Sequence, residues 1–508
     1  MEKERPFSSF GSALPRSNRS PVRKFFTYVG AFILFAVVPL AFVGWRELWV
    51  NLLERDRPEI ILEKPPVGLG LEPLRFSFDV ADSGSGIDEV IVRGVQGSEV
   101  REIFRRDYDG PKVNRDTINI EMSKDDHPFD EGDLTITIVT FDRAFFPNVR
   151  QVSIEVEVDY GPPEIEVITT QHNAVLGGSQ MVFYRLKEVN DVFSGITVGQ
   201  YLFPGFPAKA LDEDYESRPD VYFAFFPIPL NFVQDKDKIR LFARDRVGNF
   251  TSAPIHYRVR DPNYPERPIA LKTEFLEGTV YELAKKYSEF DAKMNLKQEE
   301  EVAQPNSPEE MVKQFISVNE GYRNLLETSM KEIFGRPKIR KLWDGSFVRL
   351  PDSREVAQFG EKRRYFYQGL DAGSVVSSGV DLLMGRGAKA TAVNDGIVVY
   401  SGEMGPFGKT VIIDHGFGLY SLYGFLSSSD VSEGDKVLKS EAIGSPGSTG
   451  LNDLVNSVHF EMRLHGLPVR PVEWWDSQWV RDHITNRIQD TKKILGMRTR
   501  LPLEKRGL

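Results

Sequence analysis

The chain has 508 residues, room for about three domains at ~150 residues each, and its 41% apolar and 27% charged residues exclude general disorder. A net charge of -10 excludes a nucleic-acid binder, which needs a basic face to meet phosphates. The absence of cysteine excludes disulfides, thiolate metal sites and cysteine nucleophiles. From Phe25 to Trp45 no residue is charged, and a helix rising 1.5 Å per residue over that stretch spans the ~30 Å core of a bilayer. Pro39 is tolerable in such a helix, and Trp45 and Trp49 suit its far interface. Lys3, Arg5, Arg16, Arg19, Arg23 and Lys24 precede it and predict a cytoplasmic N-terminus. The run exceeds the ~7–15 residues of a cleaved signal's apolar region, and no A-x-A site comes after it. The expectation is a single-pass inner-membrane protein, periplasmic after Arg46.

An internal repeat occupies the next 200 or so residues. Pro58-Glu59-Ile60, Ser85-Gly86-Ile87 and Asp142-Arg143 recur about 100 residues later as Pro163-Glu164-Ile165, Ser194-Gly195-Ile196 and Asp245-Arg246. Alternating segments such as Leu134–Val139 and Val152–Val158 read as half-buried strands. Both copies resemble bacterial immunoglobulin-like modules, which implies two β-sandwiches serving as spacers or interaction modules. Asp82–Asp88 lacks the spacing and terminal Glu of a calcium-binding EF-hand and reads as a turn.

Asp261–Pro265 reads as a linker separating this pair from the C-terminal part of the chain, so the two parts are expected to fold independently. Helical stretches come next, one near Glu274–Tyr287. Another starts at an N-cap, Ser307, with Pro308 at its first position and Glu310 completing a capping box. Its apolar stripe of Met311, Phe315, Val318, Tyr322, Leu325, Leu326 and Met330 predicts docking onto a neighbouring domain. Lys297–Pro305 reads as a charged loop.

From Lys341 a series of landmarks begins. Ser377-Ser-Gly-Val-Asp381 is succeeded by Ala388–Tyr400, Gly408-Lys-Thr-Val-Ile-Ile-Asp-His-Gly416 and Ser421-Leu-Tyr-Gly-Phe-Leu-Ser427. Ile443–Gly450, Val458-His-Phe-Glu461 and Pro471-Val-Glu-Trp-Trp475 complete it. In order and spacing the segment resembles the lysostaphin-type (LytM) peptidoglycan zinc endopeptidases. That resemblance implies an antiparallel β domain with an open groove, and the short Val/Ile-rich runs between glycine turns independently predict β structure.

The resemblance also implies a zinc site built from an H-x-x-x-D pair and the second His of H-x-H, assisted by a His in Y-x-H-L and the first His of H-x-H. Here Asp381 and His459 match, while Ser377, Phe425 and Ser457 stand where histidines are required. Zinc normally takes three protein ligands and a water, and two would hold it weakly. Phe425 cannot carry a proton, and Ser457 is no base at neutral pH. No catalytic residue and no cofactor are therefore expected, and Asp381 and His459 are read as an incomplete zinc site. Ser377→His would be expected to restore a third ligand. His415 reads as structural, and His465 lies too far along its strand to replace a lost ligand.

The expected architecture is mainly β and multidomain. It comprises a cytoplasmic tail (1–24), a transmembrane helix (25–45), two sandwiches (58–160 and 161–262), a helical connector (263–338), a degenerate LytM-like domain (339–476) and a C-terminal helix with a basic tail (477–508). Three functions remain open. One is a pseudo-peptidase that binds peptidoglycan or regulates a cell-wall hydrolase. The others are an active zinc endopeptidase with an altered metal site, and an envelope scaffold.

Overall fold

A computed structural model describes residues 55–169, 171–187, 192–295 and 298–497. The predicted cytoplasmic tail and transmembrane span lie outside them. Among the described residues no helix is long and apolar enough to cross a membrane. The chain divides after Gly161 into two compact units.

The first unit is a β-sandwich. Leu74–Ala81 lies between Glu59–Ile61 and Arg115–Met122 in a three-stranded sheet. The facing sheet has five strands, with Gly132–Asp142 and Ile87–Gln96 at its centre. Alternation along the strands fills the gap between them: Phe76, Phe78 and Val80 from one sheet meet Leu134, Ile136 and Ile138 from the other. The Asp82 carboxylate accepts from the Gly86 amide at 2.7 Å, closing the turn that begins there.

The second unit opens with another sandwich of two four-stranded sheets. Its strands Ser179–Leu186 and Val221–Pro227 are buried on both faces, and the second is apolar throughout. Val182, Tyr184, Ala224 and Phe226 face the sandwich's own core. Met181, Phe183, Phe223 and Phe225 point the other way and join one cluster with Trp343, Phe417, Leu464 and Trp474 of the C-terminal domain. An unbroken apolar run is what a strand buried on both faces requires.

This corrects the expected independence of the sandwich pair from the C-terminal part. The second sandwich shares a core with that domain, and the linker is itself held in place. The Tyr264 hydroxyl donates to the Leu176 carbonyl at 2.6 Å, and its ring packs edge-on against Phe359. His465 also serves this junction, with its Nε2 3.1 Å from the Phe225 carbonyl and its ring beside Phe203 and Phe206.

Glu473 crosses the same junction. Its carboxylate accepts from the Ser179 amide at 2.8 Å, and the nearest cation, Arg470, is 3.8 Å away. Burial outweighs both and pushes Glu473 up to about 7. The folded state thus holds this proton more tightly than the unfolded chain. The resulting stability is fully present below the ordinary glutamate value and is lost as pH rises through about 7. Glu473→Gln should therefore match the parent in thermal unfolding near pH 4 and exceed it near pH 8, by on the order of 2–3 kcal/mol. An equal gain at both pH values would show that charge burial is not the cause.

The connector is integral to the C-terminal domain. Glu266–Ala270 pairs in parallel with Lys362–Tyr367 as the third strand of a small sheet. The helix Pro308–Ile316 starts at Ser307, whose side chain accepts from the Glu310 amide. Glu310 reaches back to the Asn306 amide at 2.7 Å, one residue beyond the donor that a capping box uses. The apolar stripe then docks as its spacing predicts. Met311 and Phe315 pack on Tyr365 and Tyr367, and Tyr322, Leu326 and Met330 pack on Phe407 and Tyr420.

Candidate functional site

The C-terminal domain is built on an eight-stranded sheet in which Ser457–Leu464 lies between Val380–Met384 and Leu419–Leu426. Register puts Asp381 directly opposite His459, and Gly424 opposite His459 on the other side. Asp381 and His459 thus meet at one point of the sheet, and Phe425 comes next after Gly424 beside them. The Phe425 ring lies 5.3 Å from the His459 ring, and Phe407 lies 5.6 Å from it on another side. Phe425 holds φ at 64°, uncommon for a bulky side chain and sustained only where the surroundings impose it.

Ser377 joins the same point through Arg363. The guanidinium donates to the Ser377 hydroxyl at 3.3 Å and to Asp381 Oδ2 at 2.7 Å, and the Ser377 hydroxyl donates to the Gly379 carbonyl at 3.0 Å. Ser457 lies apart, accepting from Asn452 Nδ2 at 2.8 Å. His415 bridges the Asp395 carbonyl and the Ser421 hydroxyl, at 2.7 and 2.8 Å, away from this point.

Asp381 and His459 are not two ligands awaiting an ion. His459 Nδ1 is 2.6 Å from Asp381 Oδ1, and its Nε2 is 3.0 Å from Glu461 Oε1. Glu461 accepts from Arg463 Nε at 2.5 Å, and Arg463 forks onto Glu327 of the connector at 2.6 and 2.7 Å. At the other end Arg363 Nε is 3.3 Å from Glu361. The result is one chain of alternating charge: Glu327, Arg463, Glu461, His459, Asp381, Arg363, Glu361. Apart from Glu327, 43% exposed, every member is at most 14% exposed at its side chain.

The electrostatics derive from this order. Burial alone would raise the Asp381 and Glu461 carboxyls, but Arg363 and His459 around one, and Arg463 and His459 around the other, hold both well below the ordinary range. Burial would lower His459, and its two carboxylate partners outweigh that and raise it. An imidazole facing a carboxylate at each nitrogen donates from both and is the central cation of the chain, between Arg463 and Arg363.

Zinc needs a lone pair on an imidazole nitrogen and an open carboxylate oxygen. Both His459 nitrogens face carboxylates, and the two Asp381 oxygens are divided between His459 and Arg363. The residues as arranged do not fit the ion, and Arg363 supplies positive charge beside Asp381. Among the described residues no group of three or more His, Asp or Glu side chains is arranged to hold a metal. Ser377→His, expected to restore a third ligand, would add it beside an Asp381 and a His459 that already bond each other, with Arg363 on Asp381 as well. Asp381→Ala and His459→Ala would likewise leave buried charges unpaired, so they also test folding.

Arg363, Glu361, Glu461, Arg463 and Glu327 escape a reading guided by zinc ligands. A signal was present in Ser457-x-His459-x-Glu461-x-Arg463, polar groups at every second position of a strand whose residues are all buried. Beside the chain opens a cavity of about 290 Å³, bordered by Phe275, Phe315, Tyr365, Arg363, Asp381 and Phe425. Phe275 and Phe315 come from the connector, which forms one of its walls.

The model of Peptidase family M23 matches residues 375–471. The DD-carboxypeptidase/endopeptidase Mpg of Neisseria meningitidis serogroup B (strain MC58) is 37% identical over 95 residues, 19% of this chain and 22% of that protein. Stage II sporulation protein Q of Bacillus subtilis is 34% identical over 104 residues, covering 20% and 37%. The murein hydrolase activator EnvC of Escherichia coli is 35% identical over 89 residues, covering 18% and 21%. The chain thus spans between about a fifth and just over a third of the length of these relatives. With the strand register that sets Asp381 opposite His459, residues 375–471 are a peptidase family M23 domain of the LytM type.

Proposed function

We propose that this is a membrane-anchored cell-wall protein whose M23 domain binds without cutting, as a pseudo-peptidase that regulates a cell-wall hydrolase or holds peptidoglycan. The observation that carries this reading is the buried chain of charges in which Asp381 and His459 pair with each other. Similarity to a protein named as a murein hydrolase activator supports it. The anchor is the uncharged stretch Phe25–Trp45, with the bulk of the chain in the periplasm. Similarity to a protein named as a carboxypeptidase and endopeptidase favours the second reading, an active zinc enzyme with an altered site.

One experiment separates them. The purified full chain, offered zinc and then dialysed, should retain well under one equivalent and release no fragments from peptidoglycan. Added to a cell-wall amidase acting on the same peptidoglycan, it should raise the rate of release. About one equivalent of zinc, with release of wall fragments by the chain alone that is lost in Asp381→Ala, would overturn the pseudo-peptidase reading. An unchanged amidase rate, with peptidoglycan pulled down by the chain, would assign the domain to wall binding.

A further inference from the structure

The first sandwich carries two apolar side chains that its core does not use. Phe145 and Phe146 are 69% and 71% exposed and meet edge to face at 5.1 Å. They sit on a braced loop. Asp142 Oδ1 accepts from the amides of Ala144 and Asn148 at 3.2 and 2.8 Å, and Asn148 Nδ2 donates to Asp142 Oδ2 at 2.7 Å. The Arg143 amide donates to the Gly86 carbonyl at 2.9 Å.

The repeat supplies an internal comparison. In the second sandwich Asp245 Oδ1 accepts from the amides of Gly248 and Asn249 at 2.8 and 2.9 Å, and Asn249 Nδ2 donates to Asp245 Oδ2 at 2.8 Å. The same cage there encloses only Arg246-Val247-Gly248, where the first copy has Arg143-Ala144-Phe145-Phe146-Pro147. Closing this hairpin therefore does not require the aromatic pair. It is an addition to the first copy alone, at the tip.

The tip has a definite place in the first sandwich. Ile87 pairs with Asp142 at the base of the loop, and the turn from Asp82 to Gly86 joins Ile87 to Ala81. Glu59, where the first strand begins, pairs with that same Ala81. The chain therefore enters this sandwich at the end that carries Phe145 and Phe146. It leaves at the opposite end, where Val158 pairs with Gly132. Only residues 46–57 separate the uncharged Phe25–Trp45 stretch from the sandwich, a reach of at most about 43 Å at ~3.3–3.6 Å per residue. Exposed apolar patches rimmed by polar residues mark interaction sites, and Phe side chains on a membrane-facing surface bury at the boundary of headgroups and acyl chains.

We infer that Phe145 and Phe146 insert into the lipid surface beside the anchor and fix the first sandwich upright on the membrane. The inference rests on the reading of Phe25–Trp45 as a membrane span. Because the chain has no cysteine, a Phe145→Cys variant of the full protein takes a single polarity-sensitive fluorophore. Val100→Cys is the reference, 58% exposed at the hairpin of the opposite end, where Gln96 pairs with Glu99. Both labelled proteins are reconstituted into phosphatidylcholine vesicles with and without brominated lipid. The expected result is a chain that resists carbonate extraction, with a blue-shifted probe at position 145 quenched several-fold more by brominated lipid than the probe at 100. Equal, water-like emission from both probes on an unextractable chain overturns the insertion and leaves the anchor standing. A blue-shifted probe at 145 that brominated lipid does not quench means that protein covers the pair, which also overturns it. Extraction of the chain by carbonate defeats the anchor reading, and the inference with it.

Discussion

Arg463→Ala should destabilise the C-terminal unit by about 3–5 kcal/mol, because it strips a buried carboxylate of its cation. Arg463 is fully buried, and it joins Glu461 inside the sheet to Glu327 on the connector, with a further bond to the Gly466 carbonyl at 3.0 Å. Glu461 is equally buried, and with Arg463 gone it keeps its hydrogen bonds to His459 and the Ser378 hydroxyl but no guanidinium bonded to it among the described residues. Arg463→Lys should recover only part of the loss, since one ammonium cannot fork onto Glu327 while serving Glu461. Glu327→Ala should cost less, its carboxylate being partly solvated. Urea unfolding of each variant reads the order. In a double-mutant cycle Arg463→Ala and Glu461→Ala together should cost less than the sum of the two. A loss below about 1 kcal/mol for Arg463→Ala would mean that the chain of charges does not hold the site together.

The second large effect is expected at the junction of the second sandwich with the M23 domain. Phe225 is fully buried, with ring centroids 6.0 Å from Trp343 and 6.3 Å from Trp474. Phe225→Ala should cost about 3–5 kcal/mol through lost burial and the cavity left behind. The more discriminating variant is Phe226→Ala, one residue on and facing the sandwich's own core. Trp343, Trp474, Trp475 and Trp479 report on the C-terminal part, and among the described residues the ring contact of Phe226 is with His172. If the two parts unfold as one, the tryptophan-detected midpoint falls for both variants. A midpoint that moves with Phe225→Ala and stays fixed with Phe226→Ala would show that the sandwich unfolds separately.

The sequence by itself determined the local features of this protein. The repeat, the alternating strands of the first sandwich, the N-cap at Ser307 and the docking stripe of the connector are set by neighbours along the chain, so periodicity exposes them. The LytM resemblance was legible because ordered landmarks survive the loss of Ser377, Phe425 and Ser457 as histidines. What those losses leave behind only the tertiary structure decided. Asp381 and His459 read as stranded zinc ligands while Arg363, Glu461 and Arg463 look like ordinary polar strand residues. Cross-strand register and the approach of Glu327 from the connector turn all of them into one buried chain of charges. The run Val221–Pro227 likewise announces burial on both faces without saying against what. Which surface covers a strand depends on residues hundreds of positions away, and such contacts leave no period in the sequence.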